Sequence, residues 1–392
     1  MENGISRRQV MAAAAAGGAA MAGSRALAQE AEGQPLIGNP PLPQPPGERL
    51  GWAVVGLGSF GVGQVIPGFL EASRSRMTAF VSGNREKAQR LGGLYGVDRF
   101  YSYETYDDLR DDAGVDCVYI VLPVGLHAEY TIRALEAGKH VLCEKPMAST
   151  SAECERMIAA ARANGRQLGV AYRCHFEPTN MAAKERIAAG EIGALRHVRG
   201  EHGFNANPEQ WPPHKWRLEK ALAGGGSMFD IGIYGLNTAL MMAAEGDRPL
   251  RACATYAYPA DDPRFSEVEG GMDWRLEMSG GAVLSGSSSY CMSPYVGSQT
   301  YLGSEGAIHM DPATTYYDNN LELRKGGTRQ QVPAWRPVVQ FAAQVDAFSM
   351  AAREGRAHRT PGEMGYRDIR LIEAFYQSAD SGGMPVDVSG AV

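Results

Sequence analysis

Gly51-Trp52-Ala53-Val54-Val55-Gly56-Leu57-Gly58-Ser59-Phe60-Gly61 is an apolar strand pattern that runs straight into a Gly-x-Gly-x-x-Gly turn. Each glycine has a separate physical task in such a turn. Gly56 permits the tight strand-to-helix reversal, Gly58 leaves room for a pyrophosphate against the backbone, and Gly61 lets the next helix pack closely on the strand. The helix N-terminus then presents free N–H groups and a partial positive charge to phosphates. The motif alone does not separate a ligand turn from a tight structural turn. The segments on either side of it do.

From Leu50 to about Val170 the pattern alternates between strand and helix. Strands are expected at 50–55, 77–82, 117–122, 139–143 and 167–171, with helices near 61–73, 84–95, 103–112, 126–137 and 149–164. Such alternation predicts a parallel sheet covered on both faces, the setting a dinucleotide turn requires. Beyond residue 172 the pattern changes. A helix at 177–190 precedes a strand at 195–204, and Gly224-Gly225-Gly226 opens a helix reaching Ala243. Alternating segments at 251–258, 271–278, 281–290 and 299–310 read as antiparallel strands, and helical patterns return at 337–354 and 362–379. The expected architecture is an α/β Rossmann domain over 49–171, followed by an α+β domain over 172–392 with a large, mainly antiparallel sheet.

The chain has 392 residues, 44% apolar and 21% charged, with a net charge of −6. That suits about two soluble globular domains. Basic residues are scattered with no aromatic–basic cluster, so the composition argues against a nucleic-acid partner. Six cysteines show neither a C-x-x-C pair nor a disulfide-rich spacing, and most read as small buried apolar residues.

The first 28 residues follow another logic. Ser6-Arg7-Arg8-Gln9 precedes an uncharged, alanine-rich stretch and then Ala26-Leu27-Ala28, a small-x-small cleavage pattern. Twin arginines in this order predict a Tat export signal, and hence the Tat machinery as a partner and a periplasmic address. The stretch is too short and too weakly apolar to span a membrane, so no membrane association is expected of the mature form. Six prolines between Pro35 and Pro46 then predict an extended arm over residues 29–48.

Three further stretches carry chemistry. An NAD-selective fold places an acidic residue at the end of its second strand for the ribose 2′-hydroxyl. Here that position is Ser82, followed by Asn84, Arg85 and Lys87. Hydroxyl, amide and cationic groups suit a 2′-phosphate, so the residues predict NADP. Glu144-Lys145-Pro146 ends another strand, where ligand crevices of open α/β sheets lie, and Lys145 is suited to proton transfer beside a nicotinamide. Asp230 and Tyr234, four apart after the glycine triplet, would share a helix face. A phenol beside a lysine can exchange a proton with a sugar hydroxyl; equally, Tyr234 could pack with its hydroxyl capped by Asp230.

The order Gly56-x-Gly58-x-x-Gly61, Glu144-Lys145-Pro146 and Gly224-Gly-Gly-Ser-x-x-Asp230-x-x-x-Tyr234 resembles the Gfo/Idh/MocA oxidoreductases. Tyr234 stands where many members carry histidine, which, with Val81-Ser-Gly-Asn-x-Glu-Lys87, Tyr172-Arg-Cys-His175-Phe, Trp216-Arg-Leu and Met310-Asp-Pro-Ala-Thr314, is most similar to the glucose–fructose oxidoreductases. The resemblance covers nearly the whole chain. It implies a tightly held NADP(H), oxidation of an aldose such as glucose to its lactone, and reduction of a ketose such as fructose to sorbitol. It further implies Lys145, Tyr234 and Asp230 as catalytic residues, with Ser82 and Lys87 on the 2′-phosphate. Ser59, Phe60, Pro123, His127, Glu144, Lys145 and Arg173 would join the cofactor site, and His175, Trp216 and Arg217 the sugar site. A homo-oligomer, tetramer or dimer, with the arm covering a neighbour's adenine site is implied as well. Val124-Gly125 departs from the pattern, lacking the asparagine that often follows Pro123. An aldose–aldose oxidoreductase, an ordinary NADP-dependent sugar dehydrogenase and, more remotely, a non-enzymatic binding protein remain alternatives. No metal is expected.

Overall fold

Trp52 shows how the first domain is built. Its indole is fully buried and makes edge contacts with Phe69 and Tyr119, while Nε1 donates to Ser349 Oγ at 3.0 Å. The protein is described by a computed structural model over residues 43–210, 212–257, 261–333 and 339–390. The export signal and most of the arm (29–42) lie outside these residues. The described end of the arm forms a short turn, Pro46–Glu48, and Gln44 N–H donates to Ser73 O at 2.9 Å.

The first sheet contains β1 (Leu50–Val55), β2 (Ser75–Val81), β3 (Arg99–Tyr101), β4 (Cys117–Ile120), β5 (His140–Cys143) and β6 (Leu168–Val170). All neighbours pair in parallel, in the order β3-β2-β1-β4-β5-β6. Connecting helices include α1 (Ile66–Leu70), α2 (Arg85–Tyr95), α3 (His127–Glu136) and α4 (Ser151–Ala163). Apolar strands are buried on both faces, as a parallel sheet demands. The expected strands of this half are present, as are the expected helices other than 103–112. β3 was not anticipated, because Arg99, Phe100 and Tyr101 are exposed or half-buried and form no continuous apolar run. The segment expected as a helix at 103–112 is a 3-10 turn, Tyr106–Asp111.

The second domain carries α5 (Pro178–Ala188), α6 (Lys220–Ala223), α7 (Ile233–Met241) and a nine-stranded sheet. Its strands are β7 (Leu195–Asn205), β8 (Pro249–Tyr256), β9 (Gly271–Met278), β10 (Val283–Ser289), β11 (Cys291–Gly303), β12 (Gly306–Met310), β13 (Glu322–Lys325), β14 (Thr328–Gln331) and β15 (Val386–Asp387). Their order is β14-β13-β12-β11-β7-β10-β9-β8-β15, antiparallel except for the β7–β10 pair. The strand expected over 299–310 is a hairpin, since Ser304 and Glu305 turn the chain between β11 and β12. The glycine triplet opens the expected helix and also ends the one before it. Gly224, at φ +77°, ends α6, and the next helix begins after it with a π-helical turn, Met228–Gly232, before α7.

Helix α8 (Gln340–Glu354) then returns to the parallel sheet, and α9 (Gly362–Asp380) packs on β8 and α4. The Asp346 carboxylate at the inner face of α8 accepts from Ser73 N–H (2.6 Å), Arg74 N–H (2.8 Å) and the Ser73 and Ser75 hydroxyls. Phe348 meets Trp52 at 5.4 Å between ring centroids. A segment distant in sequence thus completes the core under β1. Among the described residues no helix is long and apolar enough to cross a membrane. Cys117, Cys143, Cys154 and Cys174 are buried; Cys253 and Cys291 are half-buried.

Candidate active site

The carboxyl ends of β1, β4 and β5 face one cavity of about 850 Å³, closed on its far side by the second domain. One wall is the glycine turn. A Cβ on Gly56 would lie 2.2 Å from Val121 O, and Gly56 has φ +98°; a Cβ on Gly61 would lie 2.7 Å from Gly56 O. A Cβ on Gly58 would meet nothing within 4 Å. The protein's own packing therefore demands glycine at 56 and 61 but not at 58, where the open space faces the cavity. That is the fit expected of a turn shaped for a dinucleotide pyrophosphate. Gly58→Ala is accordingly expected to leave the unfolding midpoint unchanged while weakening dinucleotide binding at least tenfold, and Gly61→Ala to lose stability. Calorimetry with and without added NADP+ checks both.

Ser82, Asn84 and Lys87 line the same cavity. Asn84 also caps α2, its Oδ1 accepting Lys87 N–H at 2.8 Å, and Ser82 Oγ accepts Asn84 N–H at 3.1 Å. Lys87 Nζ reaches back to the Leu57 carbonyl at the glycine turn. Arg85 is exposed and is not among the lining residues. Ser59 and Phe60 line the wall, with Phe60 packed against Tyr316 and Phe341.

Lys145, Asp230 and Tyr234 meet at the other end. Lys145 Nζ donates to the Asp230 carbonyl at 2.7 Å, stands 3.6 Å from Asp230 Oδ1 and lies 4.4 Å from the Tyr234 ring centroid. Asp230 Oδ2 accepts from Arg217 Nε at 2.8 Å and from Tyr290 OH at 3.1 Å. Burial pushes the Asp230 carboxyl up, but Arg217, Lys145 and the two hydrogen bonds outweigh it and hold it at about 2. Asp230 is thus a fixed anion that anchors two cations. Burial drives the Tyr234 phenol above its ordinary value, with the Arg173 charge working against the shift. At neutral pH Tyr234 carries its proton. The alternative of an Asp230-capped Tyr234 hydroxyl does not describe this geometry, since the carboxylate's partners are Arg217, Tyr290 and Lys145.

Glu144 lies behind Lys145, accepting from Tyr119 OH at 2.7 Å and from Lys145 N–H at 3.1 Å; burial raises its carboxyl, and Lys145 offsets part of that rise. Pro123 lines the cavity, whereas His127 is buried behind it. The His127 ring nitrogens stand 2.8 Å from the Leu122 and Pro146 carbonyls, tying the two loops together. Arg173 is buried too. Its guanidinium lies 4.6 Å from the Tyr234 and Tyr316 ring centroids and donates to the Thr315 carbonyl and Gln340 Oε1. It braces the site from below and is not among the cavity's lining residues. His175 is buried against Asn237 Oδ1 at 2.9 Å, and burial holds its pKa at about 3; it too lies away from the cavity lining. Trp216 and Arg217 line the cavity, the guanidinium 4.6 Å from the indole centroid.

Several lining residues escaped the sequence reading: Tyr103, Phe204, Tyr290, Tyr295 and Tyr316. Aromatic residues in strands and loops look like core from the sequence, and no local spacing marks them. A second open cleft of about 580 Å³, between α5 and α8, lies apart from these groups.

Residues 50–172 match the oxidoreductase family with an NAD-binding Rossmann fold, and residues 180–309 match the GFO/IDH/MocA C-terminal domain. The chain is 31% identical over 339 residues to D-xylose 1-dehydrogenase [NADP(+)] of Haloarcula marismortui, covering 84% of this chain and 91% of that one. It is 30% identical over 336 residues to D-xylose 1-dehydrogenase (NADP(+)) 2 of Haloferax volcanii, covering 84% and 98%. Among solved structures, aldose–aldose oxidoreductase from Caulobacter crescentus complexed with glycerol superposes with a TM-score of 0.82 at 40% identity, covering 86% of this chain and 99% of that one. The chain belongs to the GFO/IDH/MocA oxidoreductase family. It is an oxidoreductase with a Rossmann domain that binds a nicotinamide dinucleotide.

Proposed function

We propose that the protein is a periplasmic sugar oxidoreductase that keeps NADP(H) bound while it oxidises an aldose and reduces a second sugar. The observation that carries this is the convergence of Lys145, Asp230 and Tyr234 on the cavity that the glycine turn and Ser82–Lys87 also line. Ser82 and Lys87 support NADP, because no carboxylate stands at that strand end to repel a 2′-phosphate. The twin-arginine segment supports loading before export, since Tat substrates cross folded. A periplasm without a free NADP pool then disfavours an enzyme that exchanges its cofactor.

When bound, the dinucleotide supplies the hydride acceptor for one half-reaction and the donor for the other. In the reductive half, Tyr234, protonated at rest, gives its proton to the acceptor's carbonyl oxygen as the carbonyl carbon receives hydride, and is left as phenolate. In the oxidative half, that phenolate takes the proton of the aldose C1 hydroxyl while the C1–H bond gives up its hydride, leaving a lactone. Lys145, against the Tyr234 ring, stabilises the phenolate between the halves, and Asp230 holds Lys145 and Arg217 in place.

Fructose, giving sorbitol, is the first acceptor reading. An aldose acceptor is the second, favoured by the 40% identity to an aldose–aldose oxidoreductase. Purified enzyme incubated with glucose and fructose, without added cofactor, is expected to form gluconolactone and sorbitol, and the denatured protein to release NADP(H). Reduction of aldoses only would select the second reading. Turnover that requires added NADP+, with an empty supernatant after denaturation, would instead make it an ordinary dehydrogenase.

A further inference from the structure

The peptide that carries Asp230 and Tyr234 is held at its start by a residue over forty positions away. Glu269, in the loop before β9, accepts Met228 N–H on Oε1 at 2.8 Å and Gly226 N–H on Oε2 at 2.8 Å. Its backbone carbonyl accepts Ser227 N–H at 3.3 Å, and Tyr376 OH on α9 donates to Oε2 at 2.6 Å. Three successive N–H groups at the start of a helix thus all end on one residue. Such first-turn donors have no intrahelical partner and are usually capped from within the same turn. Ser227 has its hydroxyl engaged with Ser288 Oγ at 3.0 Å, so the cap comes from elsewhere in the fold.

This arrangement also explains the glycine triplet. A Cβ on Gly226 would lie 2.0 Å from the Glu269 carbonyl oxygen, and one on Gly225 would lie 2.4 Å from Tyr376 Oη. Gly224, at φ +77°, turns the chain into the socket. The triplet is the seat for Glu269 and Tyr376. Gly226 then passes the constraint forward, because its carbonyl accepts Asp230 N–H at 3.1 Å. A carboxylate at a helix N-terminus further favours the helix electrostatically.

We propose that Glu269, supported by Tyr376, is the positioning residue for Asp230 and Tyr234: it fixes the start of their helix and so sets the geometry of the acid–base pair without touching substrate. The inference rests on the catalytic reading of those two residues given above. Glu269→Gln keeps the size of the side chain but puts an amide N–H against a backbone N–H. Tyr376→Phe removes one donor to Glu269 and a long 3.4 Å contact from Gly226 N–H, and leaves the three backbone bonds to Glu269.

Two measurements on the full-length holoenzyme test it. Hydrogen exchange of the peptide spanning residues 226–234 should lose protection about tenfold or more in Glu269→Gln, and less in Tyr376→Phe, with the parallel sheet unaffected. This readout does not depend on any activity. Unchanged protection would overturn the proposal, whatever the enzyme does. In turnover, Glu269→Gln should lower kcat about tenfold or more with KM and bound dinucleotide near wild type, and Glu269→Asp should recover part of the loss. In a Tyr234→Phe background the same change should have almost no further effect on the residual rate, since residues acting as a unit are not additive. A full, additive loss there would reduce Glu269 to a structural residue. A wild-type enzyme inactive on sugars would count against the proposed function alone and leave the exchange result to decide the role of Glu269.

Discussion

Tyr234→Phe is expected to lower turnover by about a thousandfold while the protein keeps its fold and its dinucleotide. General acid–base groups contribute on the order of 10²–10⁴-fold, and Tyr234 is the phenol assigned both proton transfers here. The ring would remain, with Lys145 and Arg173 still 4.4 and 4.6 Å from its centroid, so packing changes little. Only the hydroxyl is lost. Steady-state kcat, together with the dinucleotide released on denaturation, checks this. Unchanged turnover would remove Tyr234 from proton transfer; lost dinucleotide would make it a binding residue instead.

Asp230→Ala should be the most damaging single change to the stability of the site. It removes the acceptor for Arg217 Nε and Tyr290 OH and leaves Lys145 without its nearest anion. Breaking a buried pair from one side costs about 3–5 kcal/mol; with both side chains about one-fifth exposed, about 2–3 kcal/mol is expected. The acid dependence follows from the same group. Its carboxyl is at about 2 in the folded protein, against 3.8 ordinarily. The anion therefore stabilises the fold above pH 3.8, by about 2 kcal/mol, and this contribution fades as pH falls through 2. Urea midpoints measured across that interval should fall with acid in the wild type, and Asp230→Asn should flatten that part of the decline. An equal decline in both proteins would assign the acid sensitivity to other carboxylates.

The parallel half of the fold was legible because its signals are local. A strand buried on both faces reads as a continuous apolar run, and the glycine spacing is a local motif: Gly56 takes φ +98° and Gly61 packs on the Gly56 carbonyl five residues back. Glu144-Lys145-Pro146 was legible for a related reason: the end of a parallel strand is where ligands lie, whichever strand it is. The short strands β3, β13 and β14 were not. They are exposed or half-buried, so unlike the equally short but buried β4, β5 and β6 they carry no continuous apolar run.

The candidate site was legible in its reactive groups and opaque in what holds them. Arg173, grouped from the sequence with the cofactor residues, lies beneath Tyr234, and His175, grouped with the sugar residues, pairs with Asn237 in the core. Arg85 faces solvent beside three residues that face the cavity. Each case turns on which way a side chain points, which spacing alone does not specify when neighbouring elements decide it.

By itself the sequence determined the dinucleotide turn, the alternation that builds the parallel sheet, and the identity of Lys145, Asp230 and Tyr234, because those follow from covalent geometry, local periodicity and the chemistry of residue types. Only the tertiary structure decided that α8 returns to cover Trp52, that Arg217 and Tyr290 fix the Asp230 charge, and that Glu269 fills the seat made by the glycine triplet. Those choices depend on partners 13 to 297 residues apart in the chain. Such partners are selected by burial and by the need to satisfy each enclosed polar group, which act only once the elements have come together.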